Sequence, residues 1–174
     1  ILKLMNRKHT VENYINIYEK LKKINSEIEF SSDFIISYPE ETNDDFNETL
    51  NLVKRIKFIN SYSFIFSPRP GTKAAGLKLI DSEISKERLN TIQKYLFNFQ
   101  KEKNKSFEGK SVEVLVENMT NNQTKLFGRN RFNNSVIFTD NKNSVGKIVK
   151  VKIDSSNQNS LFGKIEKKED IKAA

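Results

Sequence analysis

The segment FSPRPGT, residues 66–72, is the first place where residue types and spacing indicate chemistry. Arg69 stands between two prolines, follows an apolar run and precedes a glycine. Proline fixes its own φ and cannot donate to a sheet, whereas glycine adopts positive φ freely. The segment therefore predicts a strand that stops abruptly, with the guanidinium of Arg69 held on a stiff turn. Such a group suits a phosphate or a purine edge. The alternative is a plain turn residue that pairs with Asp33 or Glu41.

The net charge is the second feature that bears on chemistry. The 174 residues carry 30 Lys and Arg against 22 Asp and Glu, a formal net charge of +8. A positive balance of this size favours an anionic partner such as a nucleic acid. The alternative is a composition that has drifted towards lysine and asparagine, with its charges on a solvated surface.

The chain contains no cysteine and only one histidine, His9. Disulfides, thiolate metal sites and iron–sulfur ligation by this chain are therefore excluded, and a histidine-based metal site is not expected. No run approaches the roughly 20 apolar residues of a membrane span, and no secretory leader pattern is present, so we expect a soluble, cytoplasmic protein. Because the first residue is Ile1 rather than Met, we also expect the chain to begin inside a larger protein.

The first part of the chain alternates between helical and strand patterns. Three helices are predicted, the first capped by Thr10, the second by Thr42, and the third beginning at Ser82 or Ser85. Helices that alternate with strands over short loops are typical of parallel strands joined by helical crossovers.

Only two strands accompany these helices, at Asp33–Tyr38 and Tyr62–Ser67. In the first, Phe34 and Ile36 share one face and Ile35 takes the other. Two parallel strands cannot close a barrel or bury both faces of a sheet. This part of the chain therefore predicts a piece of a larger sheet, in which the two strands lie side by side and run in the same direction.

From about Phe107 the period of the apolar pattern changes to two. The segments SVEVLVE, NSVIFTD, GKIVKVKIDS and SLFGKIE alternate apolar and polar residues and are separated by Asn, Gly, Ser and Asp turns. This pattern favours a small antiparallel barrel of the OB-like kind, with a domain boundary between residues 106 and 107. Phe127, Phe132 and Phe162 are candidates for stacking on bases, but in so small a barrel we expect them to fill the core.

Five motifs in collinear order carry a resemblance to a known family. They are ILKLMNRKHT, DFIISYPEET, FIFSPRPGTKAAG, KERLNTIQKYL and the terminal β-rich segment. In this order they resemble the C-terminal portion of the radical-SAM methylthiotransferases, over essentially the whole chain. The resemblance implies a fold of the α/β plus all-β class. Residues 1–106 would be the C-terminal part of a radical-SAM (β/α) barrel, and residues 107–174 a small antiparallel OB-like TRAM β-barrel that binds RNA.

The resemblance implies an activity in tRNA modification. The RPGT form of the motif is similar to the tRNA-modifying branches, and the segments GRNRFNNSVIF and SLFGKI are more similar to the isopentenyladenosine branch. The implied reaction of the full-length protein therefore adds a methylthio group to carbon 2 of isopentenyladenosine next to the anticodon. Its cofactors would be S-adenosylmethionine and 4Fe-4S clusters. Because the cluster ligands of the family are cysteines, this chain alone is not expected to catalyse the reaction.

The implied partner is tRNA, bound at its anticodon stem-loop by a monomer. Two alternatives stay open. The first is a methylthiotransferase that acts on threonylcarbamoyl-adenosine in tRNA. The second is a stand-alone RNA-binding module with no enzymatic parent.

The resemblance also implies roles for individual residues near the strand ends. Ile35, Phe66 and Ser67 would contact the adenine of S-adenosylmethionine, Arg7 its carboxylate and Asp33 its ribose. For Ile35 and Phe66 the alternative is a place in the barrel core. For Asp33 the alternatives are a hydrogen bond from Arg69 or a purely structural role.

Contacts to substrate are implied for a second set of residues. Arg69 would contact substrate or cofactor at the barrel mouth. Phosphate contacts in the TRAM barrel are implied for Lys110, Lys125, Arg129, Arg131, Lys147, Lys150 and Lys152.

Two positions depart from the family pattern. The family carries glycines in a loop resembling G-F-P-G-E-T, where this chain has Ser37 and Glu40, whereas Glu41 and Thr42 keep the pattern. Glycine permits positive φ and a close approach of the backbone. We therefore expect a slightly altered loop.

Overall fold

The computed structural model describes residues 1–121, 124–139 and 144–166. The chain divides into two compact units, Ile1–Phe99 and Gln100–Ala174, called here the N-terminal unit and the barrel unit. Each has a hydrophobic core of its own. Within the described residues, no helix combines the length and the apolar character that crossing a membrane requires.

Three helices and two strands precede the barrel strands. A short 3-10 turn, Lys73–Gly76, follows the second strand. The elements are α1 Val11–Ile24, β1 Asp33–Ile36, α2 Asn43–Ile56, β2 Tyr62–Ile65 and α3 Ser82–Lys105, and the division between the two units falls inside α3.

The predicted helix starts are confirmed by their caps. Thr10 and Asn13 form a capping box at α1, and Thr42 and Asp45 form one at α2. The third helix begins at the first of the two predicted serines. Its cap is the residue before it, since the Asp81 carboxylate accepts hydrogen bonds from two backbone N–H groups of the first turn, at 2.8 and 3.3 Å.

The two strands of the N-terminal unit are parallel neighbours, as predicted. Asp33 is paired with Tyr62 and Ile35 with Phe64. Both strands are shorter than the sequence pattern indicated, at four residues each.

One face of this two-stranded sheet is covered and the other is open. Phe34 and Ile36 are buried in a core that α2 and α3 complete. On the opposite face, Ile35, Tyr62 and Phe64 are 38%, 66% and 55% exposed. The rings of Tyr62 and Phe64 stack on each other, with centroids 6.4 Å apart. The sheet therefore presents an aromatic surface that the described residues leave uncovered.

The barrel unit contains a closed five-stranded barrel. The ring order is β3-β4-β5-β7-β6. The strands are β3 Ser111–Met119, β4 Leu126–Asn130, β5 Ser135–Thr139, β6 Ile148–Ser156 and β7 Ser160–Ile165.

The prediction of a purely antiparallel barrel is wrong at one junction. The pairs β3–β4, β4–β5, β3–β6 and β6–β7 are antiparallel, but β5 pairs with β7 in parallel. A closed ring with an odd number of strands cannot alternate direction all the way round. One parallel pair is therefore unavoidable once five strands close.

The sequence patterns did not predict the strand β4, whose sequence is LFGRN. Glycine, arginine and asparagine are poor strand formers or neutral ones. The strand exists because both of its edges find partners, β3 on one side and β5 on the other.

Two glycines allow the small barrel to close. A Cβ at Gly128 would stand 2.3 Å from the carbonyl oxygen of Leu115, and a Cβ at Gly163 would stand 2.1 Å from that of Lys152. Both distances are far below van der Waals contact. At these two positions the neighbouring backbone occupies the space that any side chain would need.

The last turns of α3 belong to the barrel unit because Asn104 ties them to it. Its side-chain amide is 1% exposed, and Nδ2 donates to the carbonyl oxygens of Asn157 and Gln158, both at 2.9 Å. Its Oδ1 accepts from Asn134 at 2.8 Å and from Gln100 at 3.0 Å. A buried amide with four hydrogen bonds holds one position accurately.

Candidate nucleic-acid interface

Three apolar side chains form a stripe across the outer surface of the barrel. Phe127 on β4 is paired with Ile137 on β5, and Ile137 is paired with Phe162 on β7. All three are half-buried, while their strand neighbours Leu126 and Leu161 are completely buried. Because side chains alternate along a strand, the leucines fill the core and the stripe faces outward. We call the two phenylalanines, together with the isoleucine between them, the aromatic stripe.

The aromatic stripe forms the floor of an open pocket of about 940 Å³. The rest of its lining comes from the end of β3 and from described residues between β3 and β4. These residues are Glu117, Asn118, Met119, Thr120, Asn121 and Lys125.

A guanidinium borders the stripe at Phe127. Arg129 lies with its guanidinium carbon 5.5 Å from the centroid of that ring. Its Nε is 3.3 Å from a carboxylate oxygen of Glu117, and its Nη1 donates to Oδ1 of Asn133 at 3.2 Å. These bonds hold the cation against the aromatic face, where it is also attracted by the ring quadrupole.

The position of this pocket agrees with its chemistry. β4 and β5 are the second and third strands of the barrel, and the pocket also includes Thr120, Asn121 and Lys125 from between the first and second strands. In OB-like barrels this is the face that binds oligonucleotides and oligosaccharides. Aromatic faces that stack on bases, beside cations that neutralise phosphates, are the means by which proteins bind single-stranded nucleic acid.

The expectation that the barrel phenylalanines fill the core is wrong for Phe127 and Phe162. Only Phe132 packs against the core, where its ring lies 5.8 Å from that of Phe107. The sequence contained a signal for this arrangement, because the tripeptide Leu-Phe-Gly occurs at 126–128 and again at 161–163. In both copies the leucine points inward, the glycine allows strand closure, and the phenylalanine is left outside.

The structure brings two of the seven predicted phosphate-binding residues to this pocket. Lys125 is part of its lining and Arg129 borders it. Arg131 follows β4 and places its guanidinium carbon 4.7 Å from the ring centroid of Phe132.

The other predicted basic residues lie elsewhere on the barrel. Lys150 and Lys152 are on the exposed face of β6, a strand that does not contribute to the aromatic stripe. Lys150 is 3.3 Å from Glu166 and faces Glu113 across the strand pair, so part of its charge is already neutralised. The remaining two residues of the set, Lys110 and Lys147, are exposed and precede β3 and β6.

In the N-terminal unit, the predicted cofactor residues lie on or beside β1 and β2, with Asp33 at the start of β1 and Phe66 and Ser67 just after β2. Asp33 and Ile35 lie on the open face of the sheet. Phe66 donates its backbone N–H to the Ile36 carbonyl at 2.8 Å, and its ring packs 4.9 Å from that of Tyr38. The remaining predicted contact on this strand end, Ser67, is exposed.

The segment that carries Arg7 lies beside the same strand end. The hydroxyl of Tyr38 donates to the carbonyl oxygen of Leu4 at 3.1 Å. Arg7 itself is exposed. Tyr38 thus contacts both the N-terminal segment and Phe66, which joins the three parts into one surface.

The predicted stiff turn at Arg69 is present. Its carbonyl oxygen accepts from the backbone N–H of Thr72 at 3.2 Å and from the Thr72 hydroxyl at 2.8 Å, and Gly71 has φ +81°. The side chain of Arg69 is exposed. Of the two carboxylates that were its alternative partners, Asp33 and Glu41, the second is instead paired with Arg88.

The pair of Glu41 and Arg88 fixes the loop that follows β1. The two groups are 3.3 Å apart, and their side chains are only 6% and 8% exposed. Arg88 also donates to the Glu41 carbonyl oxygen at 3.1 Å and to Oδ1 of Asn43 at 2.7 Å. Burial raises the pKa of Glu41, and the attraction of Arg88 and hydrogen bonds from the backbone of Ser37 and Tyr38 offset only part of that effect.

The two residues that replace family glycines both adopt left-handed backbone conformations. Ser37 has φ +58° and Glu40 has φ +72°. The loop therefore has the kind of backbone that glycine adopts freely, with side chains that resist it. The hydroxyl of Ser37 is buried and has no hydrogen-bond partner within the described part of the chain.

Comparison with known proteins accounts for both units. Residues 105–165 match the TRAM domain family. Over all 174 residues the chain is 60% identical to the tRNA-2-methylthio-N(6)-dimethylallyladenosine synthase of Pelagibacter ubique. Proteins of the same name from Clostridium novyi and Wolbachia pipientis wMel are 43% and 42% identical, over 95% and 94% of this chain.

The chain spans only part of these relatives. It covers 39%, 37% and 38% of their lengths, in the order given above. By sequence, then, the whole chain is similar to one part of the tRNA-2-methylthio-N(6)-dimethylallyladenosine synthases, and its residues 105–165 match the TRAM domain family.

Proposed function

We propose that this chain is the C-terminal part of a radical-SAM tRNA methylthiotransferase. The full-length protein would add a methylthio group to carbon 2 of isopentenyladenosine, also called dimethylallyladenosine, next to the anticodon. Residues 1–106 are then part of the radical-SAM barrel and residues 107–174 are the RNA-binding domain. The observation that carries the proposal is 60% identity over the whole chain to a synthase of that name.

The sheet of the N-terminal unit supports a place in a larger (β/α) barrel. Parallel sheets are normally buried on both faces. Here helices cover one face, while Tyr62 and Phe64 remain exposed on the other. Further parallel strands would turn that open face into the interior of a barrel, with the carboxyl ends of the strands at its mouth.

The residues at that mouth fit S-adenosylmethionine. Ile35 is 38% exposed on the open face, and Phe66 follows the next strand, so an apolar surface is available for the adenine. Asp33, on the same open face but at the start of β1, offers a carboxylate acceptor for the ribose, and Arg7 offers a cation for the carboxylate of the ligand. Backbone at Ser67 can complete the contact. When bound, S-adenosylmethionine supplies the radical and the methyl group of the reaction.

The residues of this chain do not fit an iron–sulfur cluster, because the chain has no cysteine. The clusters belong, in this proposal, to other parts of the full-length protein. The role of this chain would be to hold S-adenosylmethionine, to exclude water from it and to present the substrate. Arg69, exposed on its rigid turn at the mouth, binds a phosphate or purine edge of the tRNA.

A chimera tests the enzymatic half of the proposal. The matching C-terminal residues of the Pelagibacter ubique protein would be replaced by this chain and expressed in bacteria that lack the enzyme. Mass spectrometry of tRNA nucleosides should show the methylthio derivative of isopentenyladenosine. A folded chimera that yields none, or that modifies threonylcarbamoyl-adenosine instead, would contradict the proposal.

Filter binding tests the RNA half with this chain alone. An anticodon stem-loop RNA should be retained in a salt-sensitive way, with log K falling by about 0.7 per neutralised phosphate and per unit of log salt for single-stranded contacts. Retention that is absent, or insensitive to salt, would contradict RNA binding by the barrel.

A further inference from the structure

We propose that the aromatic stripe of the barrel binds unpaired nucleobases by stacking, so that the barrel recognises a single-stranded segment of RNA rather than a duplex. This inference rests on the proposed function in one respect, that the partner is RNA. It goes further in naming the structural class of the RNA, the surface and the main source of affinity.

The aromatic stripe is wide enough to receive more than one base. Phe127 and Phe162 stand on strands two places apart in the barrel, with Ile137 between them. Neighbouring strands are about 4.8 Å apart, so the two phenylalanines are separated by roughly 10 Å at the backbone. Both rings are half-buried, which restrains them while leaving part of each face open. An apolar floor of this width offers stacking surface to bases that are not already stacked in a helix.

The rim of the pocket carries charged and amide groups that suit a nucleotide. Lys125 offers a charge for a phosphate, and the amides of Asn118 and Asn121 carry both donors and acceptors for base edges. Arg129, held over Phe127 by Glu117, widens the stacking platform with a planar cation. Apolar floor, amide wall and cationic border together match a nucleotide whose base is splayed out.

A duplex fits this surface less well than a single strand does. A paired helix keeps its bases stacked and presents sugars and phosphates to the protein. Those groups would desolvate against Phe127, Ile137 and Phe162 without stacking on them. The cations outside this pocket, among them Lys150 and Lys152, supply the phosphate contacts that position the strand but do not distinguish paired from unpaired RNA.

The test compares two RNA probes and two kinds of variant in the complete 174-residue chain. The probes are a single-stranded 12-mer of mixed sequence and the 12-base-pair duplex formed with its complement. Phe127→Leu and Phe162→Leu keep apolar bulk but remove the ring. Each should weaken binding of the single strand about tenfold, within the range known for loss of one base–aromatic stack.

The salt dependence separates stacking from charge. For the two leucine variants, the plots of log K against log salt should shift down in parallel with that of the unaltered chain, because no phosphate contact is lost. Lys125→Gln should reduce the slope by about 0.7. Phe127→Tyr and Phe162→Tyr, which retain a ring, should stay within threefold of the unaltered chain. So should Phe97→Leu, which removes a more exposed ring, 43% accessible, from α3.

Each result decides the matter. The proposal is supported if the leucine variants lose affinity for the single strand, the tyrosine variants keep it, and the affinity for the duplex changes little. Leucine variants that bind normally, or that lose the duplex and the single strand equally, overturn it. If this happens while the anticodon stem-loop is still bound in a salt-sensitive way, the stacking inference fails and the proposed function stands. A chain that binds no RNA at any salt overturns both.

Discussion

The two units of this chain differ in whether the edges of their strands are paired and the faces of their sheets are covered. In the barrel unit, five strands close on themselves, so every strand has two neighbours, and core residues such as Val114, Val136 and Leu161 are completely buried. In the N-terminal unit, the described sheet has two strands, and Tyr62 and Phe64 remain exposed on one face.

Because of this difference, we expect the barrel unit to be stable without further strands and the N-terminal unit to depend on additional cover for its sheet. Backbone groups in a closed barrel are paired around the ring, whereas a two-stranded parallel sheet depends on what covers it. We therefore expect the barrel to unfold as an independent unit. All five tyrosines, Tyr14, Tyr18, Tyr38, Tyr62 and Tyr95, lie in the N-terminal unit. Tyrosine fluorescence thus follows one unit, and amide-proton NMR signals of the strands β3 to β7 follow the other.

The largest effect is expected from Gly163→Ala. The new Cβ would overlap the backbone carbonyl of Lys152 at 2.1 Å, so β6 and β7 must separate, at a cost of about 4 kcal/mol in the free energy of unfolding. In a urea titration the barrel signals should be lost at much lower denaturant, while the tyrosine transition stays in place. Gly109→Ala is the matched control, since it has open space around it and only its φ of +78° to resist, worth about 1 kcal/mol. Equal effects of the two substitutions would refute the closure argument.

Arg88→Met should destabilise the N-terminal unit by about 3 kcal/mol at pH 7.5, because it leaves Glu41 buried without its cation. Burial already raises the pKa of Glu41, and loss of Arg88 raises it further. The native state then binds a proton more tightly than the unfolded state. The stability that Glu41 contributes is thus present below its ordinary pKa and is lost as pH rises through the raised one.

The cost of Arg88→Met, followed by tyrosine fluorescence in urea, should therefore be smaller at pH 4.5 than at pH 7.5. Lys86→Met is the control, since it breaks an ion pair with Glu83 in which both side chains are more than half exposed, and it should cost less than about 0.5 kcal/mol. A cost for Arg88→Met that does not change with pH would mean that charge burial at Glu41 is not its origin.

A smaller effect, in the stabilising direction, is expected from Ser37→Gly. The substitution relieves a left-handed residue with φ +58° and removes a buried hydroxyl, against the entropy that glycine adds to the unfolded chain. The net gain should be about 1 kcal/mol, seen as a higher urea midpoint of the tyrosine signal. Ser63→Gly, on the strand β2, has no positive φ to relieve and should destabilise instead. A loss of stability in Ser37→Gly would show that the side chain supports the loop.

The smallest effect is expected from the double variant Tyr62→Ser, Phe64→Ser. Because these rings are 66% and 55% exposed, they contribute little burial within the chain, and the free energy of unfolding should change by less than about 1 kcal/mol. Chemical denaturation followed by circular dichroism checks this. In the full-length protein the same variant should be far more damaging, if the open face is the interior of a barrel. If the effects were equally small in this chain and in the full-length protein, this surface would not be part of a barrel core.

How far the sequence allowed prediction differs between residues. Thr10 and Thr42 were identified as helix caps because capping depends on a few neighbouring residues. The parallel pairing of Asp33–Ile36 with Tyr62–Ile65 followed from the alternation of helices and strands. Arg88 was not recognised at all, because its partner Glu41 is 47 residues away and no local pattern links them.

The barrel shows the same limit. Alternation in β3, β5, β6 and β7 was visible in the sequence, but Phe127 and Phe162 were expected in the core. Their outward orientation depends on β4, whose sequence is a weak strand pattern, and on which face of each strand the ring of five turns inward.

The sequence alone was enough to predict the helix caps, the change of period near residue 107, the absence of cluster ligands and the family resemblance. These depend on local backbone preferences, on composition and on the order of motifs. The folded chain was needed to show that Glu41 lies buried against Arg88, that one barrel junction is parallel, and that Phe127, Ile137 and Phe162 meet on one outer surface. These outcomes require distant segments to occupy the same space, and a ring that closes leaves each strand one inner and one outer face.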